Sequence, residues 1–372
     1  MNRPIATFAV LALVAGLASV PGPTPARQLE PPAMDAAAEE AMRTWDVPGL
    51  AVVIVSPDRV MWLKGYGRRD VAADRPVTPD TVFPLASCSK AFTATLTAML
   101  ADDGKLTWDD PVRKHLPDFH LADPLADAGV TLRDLLAHRT GLGNHDFLWY
   151  HAPWPLAEAV RRTCRMPLEK PFRTAFQYQS AMYAAAGFAV ARAGGDSWEA
   201  LVRRRIFEPL GMASARCTTP TGEQVPDLAT PYRAGPDGRL RPTPWYVQNE
   251  PNPAGSIHAS ARDLAAWLRF QIGGGTVNGR RLVSAAALAE THAPQIVLRM
   301  TDAIRAANPD TVQMSYGLGW VIQDYRGHLL VSHGGVIDGF RTHITLMPRE
   351  GYALALLSNR HQTRLNLALS NT

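Results

Sequence analysis

Ser87 and Lys90 stand three residues apart in the run Ser87-Cys88-Ser89-Lys90. If the run begins a helix, residues i and i+3 share a face, and the lysine amine reaches the serine hydroxyl. The following residues, Ala91 to Leu100, carry no charge and no clean polar face. A helix apolar all round is a buried helix. Burying a lysine is costly, and burial lowers its pKa toward the neutral amine that accepts a proton. Pro84-Leu85-Ala86 sets Ser87 at the helix start, where free backbone N–H groups can stabilise an oxyanion. That chemistry is nucleophilic acyl transfer. The same residues also fit an N-capping serine beside a lysine that reaches out to solvent.

Two later patches could join them. Phe176-Gln177-Tyr178-Gln179-Ser180 precedes a helical run, and a phenol beside an amine can relay protons. Val331-Ser332-His333-Gly334-Gly335-Val336 puts a histidine and two glycines on a strand, where glycine permits close approach of a substrate to the backbone. Taken singly, Tyr178 fits a half-buried aromatic and His333 a packing residue.

The elements that must position these residues are partly legible. Ala33 to Thr44 reads as a helix, and Gly49 to Val55, a Ser-Pro-Asp-Arg turn and Val60 to Gly65 read as a hairpin. His328 to Ser332, Phe340 to Met347 and Tyr352 to Ser358 are strand-like. Between these ends the chain is mostly helical over about residues 100–255. Thr131 with Asp134 and Ser260 with Asp263 form capping boxes before Leu132 to His138 and Leu264 to Gln271. Tyr183 to Arg192 reads as a helix ended by Gly194-Gly195, with Asp196 or Ser197 capping the next. The fold class expected is α+β: one antiparallel sheet made by the N- and C-terminal segments, flanked by helices, with an inserted helical region.

Composition narrows the function. The 372 residues are 46% hydrophobic and 19% charged, which suits a folded core. The formal net charge of +4 is too small and dispersed for a nucleic-acid partner. Five of the 38 cations are lysines. Three cysteines, Cys88, Cys164 and Cys217, exclude a disulfide framework and a multi-cysteine metal site. Gly65-Tyr66-Gly67 lacks the third glycine of a dinucleotide loop, no Gly-x-Ser-x-Gly elbow occurs, and the 11 histidines include no His-Glu-x-x-His. No metal and no cofactor is expected. Arg3, the apolar run Ile5 to Ala18 and Thr24-Pro25-Ala26 read as an export signal over residues 1–26, leaving 27–372 as one domain. The run is shorter than the roughly 20 residues that span a bilayer. The expectation is a periplasmic or secreted protein with no stable membrane anchor.

The three patches, in this order and at these spacings, resemble the serine β-lactamase and penicillin-binding protein superfamily. The branch of class C β-lactamases, D,D-peptidases, D-aminopeptidases and related esterases is the most similar. Leu106-Thr107-Trp108-Asp109-Asp110-Pro111, the stretch Thr131 to Leu142 containing His138-Arg139-Thr140-Gly141, and Tyr316-Gly317-Leu318-Gly319-Trp320 agree with it. The likeness covers roughly residues 35–360. It implies a β-lactamase/transpeptidase-like fold and an acyl-enzyme on Ser87, with Lys90 and Tyr178 handling the proton. It implies an oxyanion hole from the N–H groups of Ser87 and Val336, and substrate binding by Ser180, His333, Gly334, Gly335 and Val336. Ser180 stands where the superfamily usually has asparagine, and His333 where true β-lactamases have lysine. The C-terminal helix usual in the family looks short. The expected activity is hydrolysis of an amide, peptide or ester in a small-molecule or peptide substrate. A β-lactamase, and a penicillin or peptidoglycan sensor that acylates without turnover, are the rival readings.

Overall fold

The computed structural model describes residues 31–371. The expected export signal at residues 1–26 lies outside the described residues. Its centre is an antiparallel sheet in the order Ile296–Leu298, Met314–Tyr316, Val321–Tyr325, His328–Ile337, Phe340–Met347, Tyr352–Ser358, Gly49–Val55, Val60–Asp70, Arg75–Pro76. The first and last long strands meet in its middle, with Leu50 opposite Ser358 and Val55 opposite Ala353. The sheet is therefore closed by both chain ends, and the fold is α+β as expected.

Alternation along Gly49–Val55 builds two cores. Ala51, Val53 and Val55 point into the large core under helix Ala261–Ile272, while Leu50 and Val52 point the other way. There they pack with Ala38 of helix Pro31–Thr44 and Leu365 of the short C-terminal helix Leu365–Ser370. The sheet is wider than expected. The three-residue strands Ile296–Leu298 and Met314–Tyr316, and Val321–Tyr325 beside them, extend one edge. The strand bearing His333 also continues five residues further, to Ile337.

Helix Ser89–Asp102 is buried from Ser89 to Leu100. Phe92 stacks on Trp267 at 3.8 Å between ring centroids. Its threonines are internally satisfied: Thr93 donates to the Pro253 carbonyl (2.7 Å), and Thr95 accepts from Gln271 (3.0 Å). Polar groups inside the core thus tie this helix to its neighbours instead of costing a hydrogen bond. Both capping boxes form, and Asp134 does more than cap. Its buried carboxylate also accepts from Arg139 (2.6 Å) and Arg173 (2.7 Å). Burial opposes ionisation there, and these cations with the Thr131 amide hold the carboxyl below its usual range. Helix Ser180–Gly194 starts three residues earlier than its apolar pattern suggests, because the Gln179 side chain caps it by accepting from the Ala181 N–H. Ser197, not Asp196, caps the next helix. Among the described residues no helix is long and apolar enough to cross a membrane.

The sheet and the buried helix meet where Gly335 passes the turn before Ser87. A Cβ at Gly335 would lie 2.1 Å from the Leu85 carbonyl oxygen and 3.3 Å from the Ala86 Cβ. The expectation of a glycine pair open to substrate is therefore corrected for Gly335, which admits the chain's own backbone. Gly334 is exposed, and a Cβ there would meet nothing closer than 3.7 Å. Gly335→Ala should cost about 2–3 kcal/mol in denaturant unfolding, whereas Gly334→Ala should stay within about 0.5 kcal/mol. Equal effects of the two changes would contradict this packing.

Candidate active site

Ser87 sits on a one-turn helix, Ala86–Cys88, that runs straight into Ser89–Asp102. The turn is held at both ends. Leu85 N–H donates to Ile257 O (2.8 Å), and Ser89 Oγ accepts from Ile257 N–H (3.0 Å). Within this frame Ala86 has φ +47°, a left-handed conformation that is unfavourable for a residue with a Cβ. Such strain costs on the order of 1–3 kcal/mol and persists only where the surroundings enforce it. It presents the half-buried Ser87 hydroxyl to a cleft of about 870 Å³.

Lys90 is completely buried. Its Nζ lies 3.2 Å from Ser87 Oγ, 3.5 Å from Ser180 Oγ and 2.9 Å from the Ala254 carbonyl oxygen. Burial lowers its pKa to about 7, against smaller opposing effects of Asp146 and Cys88. Three contacts are what a neutral amine can satisfy: two N–H groups donate, to Ala254 O and Ser180 Oγ, and the lone pair accepts from the Ser87 hydroxyl. Ala254 had no signature in the sequence, since its contribution is a main-chain carbonyl. The loop that carries it is pinned by Asn252, whose Oδ1 accepts from Ala254 N–H (2.9 Å).

Tyr178 packs its half-buried ring beside the amine, with Nζ 4.7 Å from the ring centroid. Burial raises the phenol well above its ordinary pKa, with its hydrogen-bonding contact to Ser87 a smaller opposing effect. The phenol is therefore a proton donor at neutral pH and not a phenolate. Its backbone is set by His138. The His138 carbonyl accepts from Gln177 N–H (2.8 Å), its Nδ1 accepts from Gln179 N–H (3.1 Å), and its ring lies 4.3 Å from that of Tyr178.

His333 differs from expectation. It lines the cleft, but it is 5% exposed and both ring nitrogens are engaged. Nδ1 donates to Gly334 O (2.8 Å), because a carbonyl can only accept. Nε2 faces the Tyr316 hydroxyl (3.0 Å) and accepts its proton while the ring is neutral. Burial, with the nearby Lys90, depresses its pKa to about 3. An imidazolium that titrates near neutrality and holds a substrate carboxylate is therefore excluded; the residue is a neutral wall. Gly334 and Val336 also line the cleft, and Val336 is 42% exposed. Cys88, next to the serine, donates its thiol to His333 O (3.1 Å), and burial pushes its pKa up. Among the described residues no three His, Cys, Asp or Glu side chains are grouped as metal ligands.

Comparison with known proteins bears on the family and the fold. A family model described as Beta-lactamase matches residues 34–369. The chain is 30% identical to the unguisins hydrolase ungD of Aspergillus violaceofuscus over 87% of its own length and 60% of that protein's. It is 29% identical to penicillin-binding protein 4 of Amycolatopsis lactamdurans, covering 86% of this chain and 83% of that one. The octameric penicillin-binding protein homologue from Pyrococcus abyssi superposes with a TM-score of 0.78 at 25% identity, over 88% of this chain and 73% of the other. The chain thus spans about 60% of the length of the unguisins hydrolases it matches.

Cys88 and Ser87 are adjacent, so their accessibilities separate two candidate nucleophiles. All three cysteines are buried and their thiols raised in pKa by burial. The folded protein should release fewer than about 0.1 thiol equivalents to Ellman's reagent, and three after denaturation. Rapid labelling of Cys88 in the folded state would contradict this.

Proposed function

Because the chain belongs to the Beta-lactamase family, we propose that it is a serine hydrolase that forms an acyl-enzyme on Ser87. The observation that carries this reading is the 3.2 Å contact between Ser87 Oγ and a fully buried Lys90 amine whose pKa is lowered to about 7. An amine that is largely neutral at working pH can serve as a general base.

In the acylation step Ser87 Oγ attacks the carbonyl carbon of an ester or amide while its proton passes to Lys90 Nζ. The carbonyl electron pair moves onto oxygen, against the N–H groups of Ser87 and Val336. As the tetrahedral species collapses, the proton travels from the Lys90 ammonium through the Tyr178 hydroxyl to the departing oxygen or nitrogen. Water then attacks the ester on Ser87, giving its proton to the same pair, and the acid product leaves with Ser87 restored. Tyr178 fits the role of relay because burial keeps its phenol protonated. The departure at His333 counts against an efficient β-lactamase, since the superfamily's Lys-Thr-Gly segment supplies a cation there and this site supplies a neutral imidazole.

Ser87→Ala should lower turnover of any ester or amide substrate by about 10⁴-fold or more with the fold retained. Activity within about tenfold of the parent would place the nucleophile elsewhere. The pH profile gives a second test. Below the Lys90 pKa the amine is protonated and cannot accept from Ser87, so kcat/KM for a neutral ester should fall about tenfold per pH unit below about 7. Above 7 it should level off, because His333, lowered to about 3, and the raised Tyr178 do not titrate there. A profile that declines between pH 7 and 9 would contradict the assignment.

A further inference from the structure

Resting on the acyl-enzyme reading, we infer that the cleft selects uncharged or cationic acyl groups and turns away carboxylates, and that the segment from Asp146 to Tyr150 does the selecting. The fixed charges support this first. At the strand position beside the serine the buried imidazole of His333 has both ring nitrogens occupied, by Gly334 O and the Tyr316 hydroxyl, and offers no free N–H to a carboxylate. Arg233 brings a guanidinium to the cleft, but its NH2 group is held by Asp338 at 2.6 Å. The same carboxylate also accepts from the Tyr150 hydroxyl. That charge is already answered inside the protein. His361, also on the wall, donates Nδ1–H to Ile337 O (3.2 Å), and burial lowers its pKa.

Asp146 is a different case. Its carboxylate stands on the cleft wall, half-buried, with Oδ1 accepting from Trp149 Nε1 at 2.7 Å. Among the described residues it forms no ion pair within 4.0 Å. Its field reaches the reacting groups, since it raises the proton affinity of both Lys90 and Tyr178. A substrate carboxylate entering here meets a like charge, with no unpaired arginine or lysine among the described residues that line the cleft mouth, and a like charge in a partly desolvated site is a strong discriminator.

The same segment supplies the attraction. Phe147 is 89% exposed at the mouth, and Trp149 and Tyr150 line the wall beside it. Tyr246 backs Tyr150 at 4.9 Å between ring centroids. Aromatic faces cover apolar chains and attract cations through the ring quadrupole. A carboxylate set among aromatic faces receives an alkyl, aryl or alkylammonium arm.

Three p-nitrophenyl esters of matched length separate the cases: γ-trimethylammonio-butanoate, its carbon isostere ending in a tert-butyl group, and hemiglutarate. After correction for spontaneous release, kcat/KM for the cationic and neutral esters should each exceed that for the hemiglutarate by about 30-fold or more. In Asp146→Asn, which keeps the acceptor for Trp149, the ratio of cationic to anionic ester should fall about tenfold. Using a ratio within one enzyme removes the effect of this change on Lys90. Hemiglutarate cleavage within about threefold of the neutral ester, abolished by Ser87→Ala, would overturn the selectivity while leaving the acyl-enzyme standing. An unchanged ratio in Asp146→Asn would overturn the role of Asp146. Ester cleavage that survives Ser87→Ala would instead defeat the underlying reading.

Discussion

A lysine amine placed inside an apolar helix cannot remain fully charged without a counter-ion, and the rest of the site follows from that constraint. Transfer of an ammonium into a poorly solvating interior costs several kcal/mol, which the group avoids by giving up its proton. Lys90 has no carboxylate within ion-pair distance among the described residues. Its surroundings offer two acceptors and one hydroxyl proton, a set that suits the free amine better than the ammonium. Much of the architecture maintains this. The sheet closed by both chain ends backs helix Ala261–Ile272, whose Trp267 stacks on Phe92 of the lysine's helix; the Asn252–Ser256 turn delivers a carbonyl, and helix Ser180–Gly194 delivers a hydroxyl. The strained Ala86 then turns Ser87 toward the same nitrogen.

The second constraint is electrostatic and concerns what can come near. The strand beside the serine presents a histidine whose hydrogen bonds fix one neutral tautomer. A cation at this position would have opposed protonation of the nearby Lys90 amine still further, and a buried neutral imidazole adds no such charge. The cleft thus has hydrogen-bonding walls and aromatic faces but few unanswered charges, which points to recognition by shape and apolar contact more than by ion pairing.

Much of this was legible from local signals. The two capping boxes, the N-terminal hairpin and the strands Phe340–Met347 and Tyr352–Ser358 carry short-range patterns that the structure reproduces. Ser87 and Lys90 were legible because a lone lysine in an uncharged helix is conspicuous. Other features depend on partners far along the chain. Ile296–Leu298 and Met314–Tyr316 are too short to show an alternation and exist as strands through pairing with each other and with Val321–Tyr325. The neutrality of His333 depends on Tyr316, and the need for Gly335 on Leu85. The Ala254 carbonyl and the Ala86 backbone have no side-chain signature at all.

Acyl transfer on Ser87 depends on the protonation state of Lys90. With only five lysines in the chain, Lys90 can be assigned by substitution and its Cε resonance followed across pH by carbon-detected NMR of lysine-labelled protein. The expected midpoint for that resonance is about 7. A midpoint in the ordinary lysine range near about 10.4 would show that the buried amine keeps its proton at neutral pH, and would contradict its role as base.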